Sequence, residues 1–377
     1  MHYVKRVISA VLNRKQESIS RANDNIDTLK EGLASDIKRE MDEIHVRLDA
    51  LLAAQEQTLQ ARFLQQHNKN MTHMMEMLYR RALTDPLHSL QNGGKGKLIA
   101  IVLISDDGYA VPTGVAITSL LCNKKPETRY EITVLGRSLS EENVRMLSAL
   151  STDITVLPCD VTRVGAYFNS HLYVSDAALL KFDIPQLLPQ NDKVLYLDGD
   201  ILVLGDLTAL FETNLGERYA AVAKDLLGTH FDFHKRTGVS SYFNSGVLLL
   251  NTRKLREDEI TARLFETKAN ETWNMLMDQD TFNVTFAENV VWLHPRYNLM
   301  YANNFSSGWE MSRMASFYGV SEREMIETMK APVIQHLSSQ KKPWNTPLAE
   351  KYLDYQEYRI LFELLLERQG FSFGEKE

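Results

Sequence analysis

The sequence lacks the features that define several common protein classes. Its 377 residues include two cysteines, Cys122 and Cys159, in apolar surroundings and without the spacing of a metal site. We interpret them as buried thiols rather than a disulfide, as is typical of a reducing compartment. No apolar run reaches the length of about 18 residues that a spanning helix needs, and the run at 7–12 is too short for a signal peptide. We therefore expect a cytoplasmic protein, at most peripheral at the inner face of the membrane.

The chain also lacks an excess of positive charge. Its net charge is −7, whereas a general nucleic-acid binder is normally basic, so no nucleic-acid partner is expected. Its overall composition, with 44% hydrophobic and 24% charged residues, is ordinary for a globular protein. A chain of this length can form one large core with an appendage.

Residues 17–83 contain no proline and a single glycine, Gly32. Apolar residues recur there every three or four positions, and Ile26, Ile37, Leu48 and Leu59 are spaced by 11. This repeat favours a nearly straight or slightly right-handed helical seam. Because a narrow apolar stripe on a long helix is hard to bury in one globule, we predict a coiled coil that makes the protein a homo-oligomer. The alternative is a helical hairpin that folds back on its own chain.

Both ends of the chain have amphipathic patterns. Residues 1–16 form a basic amphipathic helix that could lie on an anionic membrane surface, although packing on a partner helix or the next domain is favoured. Residues 84–97 are rich in turn residues and read as a linker. Residues 351–377 read as a helical tail whose acidic residues dilute any basic face. We expect this tail to pack on the sheet or a partner, with only weak membrane contact.

Between these segments, strands and helices alternate. The runs Leu98–Ser105, Tyr130–Leu135, Ile154–Leu157 and Val194–Leu197 read as buried strands, with helices between them. This alternation predicts an α/β fold with a mostly parallel, doubly wound sheet. Ligands bind beyond the carboxyl ends of the strands in such sheets. Asp106 could accept hydrogen bonds from a base or ribose there, Tyr109 could stack on a flat ring, and Lys181 could point at the site.

Asp198 and Asp200 directly follow a strand that is apolar on both faces. Two acids in this place are costly to bury unless they are paired. Their spacing lets both carboxylates reach one hard cation, and Gly199 allows backbone or phosphate to come close. The alternative is a turn with two solvated acids. Because two nearby carboxylates repel each other, the substitution Asp200→Asn would hardly lower stability.

Five motifs occur in one order over about 240 residues. They are Asp106–Ala110 after a strand, Lys193–Asp200, Tyr242–Asn251, Asp278–Asp280 with Asn283, and His336 followed by Lys342–Trp344. In this order they resemble glycosyltransferase family 8, the retaining enzymes that include bacterial lipopolysaccharide galactosyl- and glucosyltransferases and glycogenin. The resemblance implies a GT-A fold over residues 98–350, a Rossmann-like, mixed but mainly parallel sheet flanked by helices. It does not cover the N-terminal helical region.

The resemblance also implies a metal site and a donor. Asp198 and Asp200, with His336 as a third ligand, would bind Mn²⁺ or Mg²⁺, and the cation would bridge the diphosphate of UDP-glucose or UDP-galactose. A cation there would neutralise charge on the departing UDP. Lys342 would contact phosphate as a point charge on a flexible stem.

Further roles are implied for residues along the donor. Asp106 and Tyr109 match positions that hold uracil and ribose, Asp225 and Asn244 match positions near the donor sugar, and Asp278 and Gln279 match the catalytic pair beneath the anomeric carbon. Gly108, Lys181 and Ser339 complete the expected donor-binding set. Relatives often have Asn in place of Gly108, Gly in place of Ser339, and Arg in place of Leu179.

The implied function is the transfer of glucose or galactose from a UDP-sugar, with retention, to an acceptor hydroxyl in surface glycan or lipopolysaccharide synthesis. The acceptor is a glycan, a glycolipid or a protein. One alternative is a glycogenin-like or protein-directed glucosyltransferase. Another is a non-catalytic nucleotide-sugar-binding scaffold, in which the long helix recruits partners.

Overall fold

The computed structural model describes residues 96–159, 176–226, 228, 232–270, 277–300, 310–338, 342–345 and 353–373. The predicted N-terminal helix at 1–16 and coiled coil at 17–83 lie outside these residues, as does all but the end of the linker. Ser339 lies outside them too. These expectations stay predictions.

The described residues contain ten strands. They are β1 (Leu98–Ser105), β2 (Arg129–Gly136), β3 (Ile154–Pro158), β4 (Val194–Leu197), β5 (Ile201–Val203), β6 (Ala220–Lys224), β7 (Phe243–Leu250), β8 (Val290–Trp292), β9 (Leu299–Met300) and β10 (Ile334–His336). The four strands predicted from apolar runs are β1 to β4, so those predictions are confirmed. Every residue of β4 and β7 is buried. Burial on both faces explains why the sequence of β4 is a continuous apolar run rather than an alternation of apolar and polar residues.

Eleven α-helices lie in the described part of the chain. They are α1 (Ala110–Asn123), α2 (Glu141–Ser148), α3 (Ile184–Leu187), α4 (Thr208–Phe211), α5 (Phe233–Thr237), α6 (Thr252–Glu257), α7 (Ile260–Asn270), α8 (Met277–Phe286), α9 (Met311–Tyr318), α10 (Glu322–Lys330) and α11 (Leu353–Glu367). The helix predicted before β4 is a 3-10 helix, Asp176–Asp183. Ser140 caps α2, since its side chain accepts from the backbone N–H of Asn143.

Within the described residues, seven strands form one sheet in the order β3-β2-β1-β4-β7-β6-β8. Strands β1 to β4 run parallel to one another. Strand β7 is antiparallel to both neighbours, and β6 is parallel to β8. The sheet is therefore mixed and mainly parallel, as predicted.

A smaller sheet has the order β5-β10-β9 among the described strands. The chain leaves the large sheet after Leu197 and enters the small one at Ile201, so the acidic motif joins the two. In the antiparallel pairing of β10 with β5, His336 lies opposite Ile201. The backbone of Asp198 donates to the Gly246 carbonyl at 2.8 Å, which ties the motif to β7 as well. The fold thus brings His336 next to the acids from far along the chain.

Helix α11 belongs to the core rather than projecting from it. Phe362 and Leu366 are fully buried in the same apolar cluster as β1 and α1. A Cβ atom on Gly114 of α1 would come within 2.3 Å of the Phe362 ring, so glycine permits this close helix packing. The expectation that the tail packs on the body of the protein is confirmed for this helix. None of the described helices combines the length and the apolar character that a membrane span requires.

Both cysteines lie in the described residues, and they are thiols, as predicted. Cys122 is buried in α1, whereas Cys159 is half-buried just after β3.

Candidate active site

Three side chains converge where the two sheets meet. One ligand atom from each of Asp198, Asp200 and His336 lies within 4.8 Å of the other two. The Nε2 atom of His336 is 3.3 Å from Oδ1 of Asp200 and 3.8 Å from Oδ2 of Asp198. The turn with two solvated acids is therefore not what forms, because Asp200 is buried and both acids face the imidazole.

The second oxygen of each carboxylate, in Asp198 and in Asp200, forms an ion pair with a lysine. Lys181 lies 3.0 Å from Oδ1 of Asp198, and Lys342 donates to Oδ2 of Asp200. Tyr196 also donates to Oδ1 of Asp198, at 2.5 Å. Burial alone would raise the pKa of Asp200, but Lys342 and His336 outweigh it and hold that pKa well below its usual range. Each acid thus holds a lysine with one oxygen, while its other oxygen remains turned toward His336.

The three ligand groups, from Asp198, Asp200 and His336, fit a divalent cation. Two carboxylate oxygens suit Mn²⁺ or Mg²⁺, and an imidazole nitrogen among oxygen ligands is compatible with Mn²⁺. The distances between the ligand atoms are those of groups that can share one ion, and the lysines leave one oxygen of each acid for it.

Gly246 on β7 keeps the space between the ligands open. A Cβ atom there would lie 2.2 Å from Cε1 of His336 and 2.7 Å from Oδ2 of Asp198. No real side chain tolerates such distances, so any larger residue would push the ligands apart.

We predict that Gly246→Ala abolishes tight Mn²⁺ binding while the protein still folds. Loss of at least about 10–100-fold in affinity is expected, as for other disturbances of ligand orientation. Isothermal titration with Mn²⁺ measures this. The matched control is Gly205→Ala, where the nearest atom to the new Cβ would be 3.6 Å away. Equal Mn²⁺ affinity in both variants would contradict the assigned ligand geometry.

Helix α8 starts with the predicted catalytic pair. Lys181 donates to Oδ2 of Asp278 at 2.8 Å, and the Ser245 hydroxyl donates to the same atom at 2.7 Å. Burial favours the neutral amine, but Asp198 and Asp278 outweigh it and raise the pKa of Lys181 above its usual range. Lys181 therefore bridges the acidic motif and the predicted catalytic pair.

Gln279 is held by three neighbours. Its Oε1 atom accepts from Nδ2 of Asn244 at 2.9 Å and from the backbone of Ser245 at 3.1 Å. Its Nε2 atom donates to Oδ2 of Asp225 at 2.9 Å. The structure thus brings Asn244, Asp225 and Gln279 together, as their predicted shared place near the donor sugar requires.

The predicted nucleoside-binding residues lie at the end of β1. Oδ1 of Asp106 accepts from the backbone of Tyr109 at 3.0 Å, and the Tyr109 ring packs edge-on against Trp344. Burial is the main cause that raises the pKa of Tyr109, and the charges of Asp200 and Asp198 raise it further. The neighbouring Asp107 instead accepts from the backbone of Ser140, so it anchors α2.

Some residues matter in ways the sequence did not indicate. Asn298 and Ser245 contact His336 and Asp278, and Tyr196 contacts Asp198. Tyr196 lies two residues before Asp198 and Ser245 lies within the Tyr242–Asn251 motif, whereas Asn298 had no local signal. Leu179 is fully buried in the core, so no polar group reaches the site from that position. Gly108 is exposed in the 3-10 helix after β1.

Comparison with known proteins gives consistent matches. The model of glycosyl transferase family 8 matches residues 100–347. General stress protein A of Bacillus subtilis (strain 168) is 26% identical over 279 residues, which cover 70% of this chain and 95% of that protein. Lipopolysaccharide 1,2-glucosyltransferase of Escherichia coli is 28% identical over 209 residues, and the match spans 52% of this chain and 61% of that protein.

A solved structure supports the same likeness. The galactosyltransferase LgtC, crystallised with donor and acceptor sugar analogues, aligns with a TM-score of 0.60 and 26% identity. The alignment covers 70% of this chain and 96% of that one. The predicted GT-A fold is thereby confirmed for the described sheet and its helices.

Proposed function

The chain belongs to glycosyltransferase family 8, and from this premise we propose that it is a metal-dependent, retaining hexosyltransferase that uses a UDP-sugar. The observation that carries the proposal is the convergence of Asp198, Asp200 and His336 beside Lys342. A divalent cation bound there supplies positive charge to the diphosphate as it leaves.

The side chains around this centre have separate tasks in the proposal. Tyr109 and Asp106 hold the nucleoside, and Lys342 moves from Asp200 to a phosphate oxygen when the donor arrives. Gly108 and Ser339 complete the donor-binding set. Asp225 and Asn244 hold the donor sugar, so that its anomeric carbon lies above Gln279 and Asp278. Positioning of this kind supplies much of the rate by orienting the reacting groups.

The bonds made by Gln279 favour one retaining mechanism over another. Its Oε1 already accepts from Asn244 and from the Ser245 backbone, so it has little capacity left to attack the sugar. Oδ2 of Asp278 is likewise held by Lys181 and Ser245. We therefore favour a front-side displacement, in which the acceptor hydroxyl enters beside the leaving diphosphate and a diphosphate oxygen takes its proton.

Glucose and galactose are the proposed sugars, and a surface glycan such as lipopolysaccharide is the proposed acceptor. The support is similarity to a lipopolysaccharide glucosyltransferase and to a galactosyltransferase.

A panel of UDP-sugars tests this proposal. Purified full-length protein is incubated with each sugar and Mn²⁺, Mg²⁺ or a chelator, and UDP release is measured. We expect release from UDP-glucose or UDP-galactose that depends on the metal. A nucleotide-sugar-binding scaffold would bind UDP yet release none, and that result would overturn the enzymatic proposal.

We also propose that residues 17–83 assemble the protein into a homo-oligomer, with 1–16 and 351–377 giving at most weak membrane contact. The support is the repeat of Ile26, Ile37, Leu48 and Leu59. Removal of residues 1–90 should give a folded monomer that still hydrolyses the donor, because β1 begins at Leu98. Light scattering measures the mass. A truncated protein with the full-length oligomeric state would contradict the proposal.

A further inference from the structure

Asn298 lies between the metal ligands and the donor-sugar residues. It follows the 3-10 helix Pro295–Tyr297 and is fully buried. Its Oδ1 is 3.0 Å from Nδ1 of His336, and its Nδ2 donates to Oδ1 of Asn244 at 2.9 Å. We propose that Asn298 is a positioning residue that fixes the tautomer of His336, so that Nε2 presents a lone pair to the cation.

Two backbone N–H groups determine which side-chain atoms donate and which accept in this hydrogen-bond network. The N–H of Gly246 donates to Asn244 at 2.9 Å, and the N–H of Ser245 donates to Gln279 at 3.1 Å. A backbone N–H can only donate, so the atom that it meets in each amide side chain must be the carbonyl oxygen. The orientation of both amides, which is otherwise a matter of assignment, is therefore determined by the fold.

The tautomer of His336 then follows. Because Oδ1 of Asn244 is an acceptor, the atom of Asn298 that faces it must be the amide nitrogen. The Asn298 oxygen therefore faces Nδ1 of His336, which must carry the hydrogen when the ring is neutral. The lone pair is left on Nε2, the atom that faces Asp198 and Asp200. Such a partner fixes ring orientation and raises the basicity of a metal ligand.

The same bonds continue to the donor-sugar side. Asn244 donates to Gln279, which donates to Oδ2 of Asp225 at 2.9 Å. Asn298 therefore connects a metal ligand to the residues proposed to lie beneath the sugar. This inference rests on the proposed metal role of His336, but the amide orientations that place Oδ1 of Asn298 against Nδ1 of His336 need neither metal nor donor.

The experiment uses the full-length, metal-free protein with ¹⁵N-labelled histidine. Ring-nitrogen shifts are recorded over a pH series, and His336 is assigned by difference from His336→Gln. The wild type should show a hydrogen on Nδ1. Asn298→Asp keeps an acceptor for it and should keep this tautomer, whereas Asn298→Leu should lose it. Wild-type protein with the hydrogen on Nε2 would overturn the proposal without reference to any variant.

Mn²⁺ affinity is the second readout. Asn298→Leu should weaken binding by about 10–100-fold, whereas Asn298→Asp should not weaken it. The matched control is Asn251→Ala, which removes a buried asparagine that caps α6 and donates to the Gly216 and Arg218 carbonyls. It should keep both the tautomer and the affinity. An equal loss in Asn251→Ala and Asn298→Leu would mean that Asn298 acts only through general stability. If sugar transfer is never observed, the tautomer result still decides this inference.

Discussion

The substitution Asp200→Asn should lower metal-dependent UDP release by about 10²–10³-fold, the usual effect of removing one electrostatic contact to the developing charge. Asp200 contributes Oδ1 to the ligand set, and its other oxygen holds Lys342. Asparagine keeps the shape but removes the negative charge that balances both a cation and the lysine. The measurement is UDP release over a range of Mn²⁺ concentrations.

Stability should fall as well, by about 1.5–3 kcal/mol, the value of a hydrogen bond to a charged group. The depressed pKa of Asp200 means that its charge stabilises the folded state above the unfolded pKa, and that this contribution is lost as the pH falls through the folded pKa. Neutral pH lies above both values, so the wild type keeps the full contribution there.

Asp206→Asn is a suitable control for this comparison. Asp206 is a hydrogen-bonded carboxylate that accepts from Lys125 and Thr128, away from the ligand set. The Asp206→Asn variant should lose some stability but keep the wild-type rate of UDP release. Near wild-type turnover in Asp200→Asn, with metal dependence intact, would mean that the acidic motif has a structural role only.

Lys181→Met should lower the free energy of unfolding by about 3–5 kcal/mol, the usual cost when one partner of a buried ion pair is removed. Lys181 is 4% exposed and contacts both Asp278 and Asp198. Without it, the Asp278 carboxylate remains buried without its cation. Because the pKa of Lys181 is raised, the lysine is charged at neutral pH, and its contribution is lost only as the pH rises through the folded pKa.

Urea unfolding measures this effect through the transition midpoint. The matched variant is Lys235→Met, which breaks an ion pair with Asp232 whose side chains are both more than half exposed. Exposed pairs contribute at most about 1 kcal/mol. Similar midpoints for the two variants would show that the buried contacts of Lys181 contribute little to stability.

The strands could be predicted from the sequence because parallel strands that are buried on both faces have continuous apolar sequences. Strands β1 to β4 were placed to within about one residue at either end. The acidic motif, Asp198 and Asp200, could also be recognised, because both acids directly follow such an apolar run. His336 had no comparable local signal, because it reaches the site through the pairing of β10 with β5. Only the resemblance to a family indicated its role.

Interactions between distant side chains were harder to predict. The expectation that Asp200→Asn would hardly lower stability considered only repulsion between the two acids. The structure reverses it, because Lys342 and Lys181 each neutralise one of them. Asn298 was missed for a similar reason. An isolated asparagine after a short 3-10 turn has no distinguishing pattern, and its contact with His336 depends on the small sheet.

We propose that Asp198, Asp200 and His336 together bind one divalent cation, which would also contact the donor diphosphate. The most direct test is electron paramagnetic resonance of free Mn²⁺ during titration of the full-length protein, with and without UDP. We expect one tight ion per chain, bound more tightly when UDP is present, and loss of that site in Asp200→Asn. Equal Mn²⁺ binding by wild type and Asp200→Asn, unaffected by UDP, would contradict it.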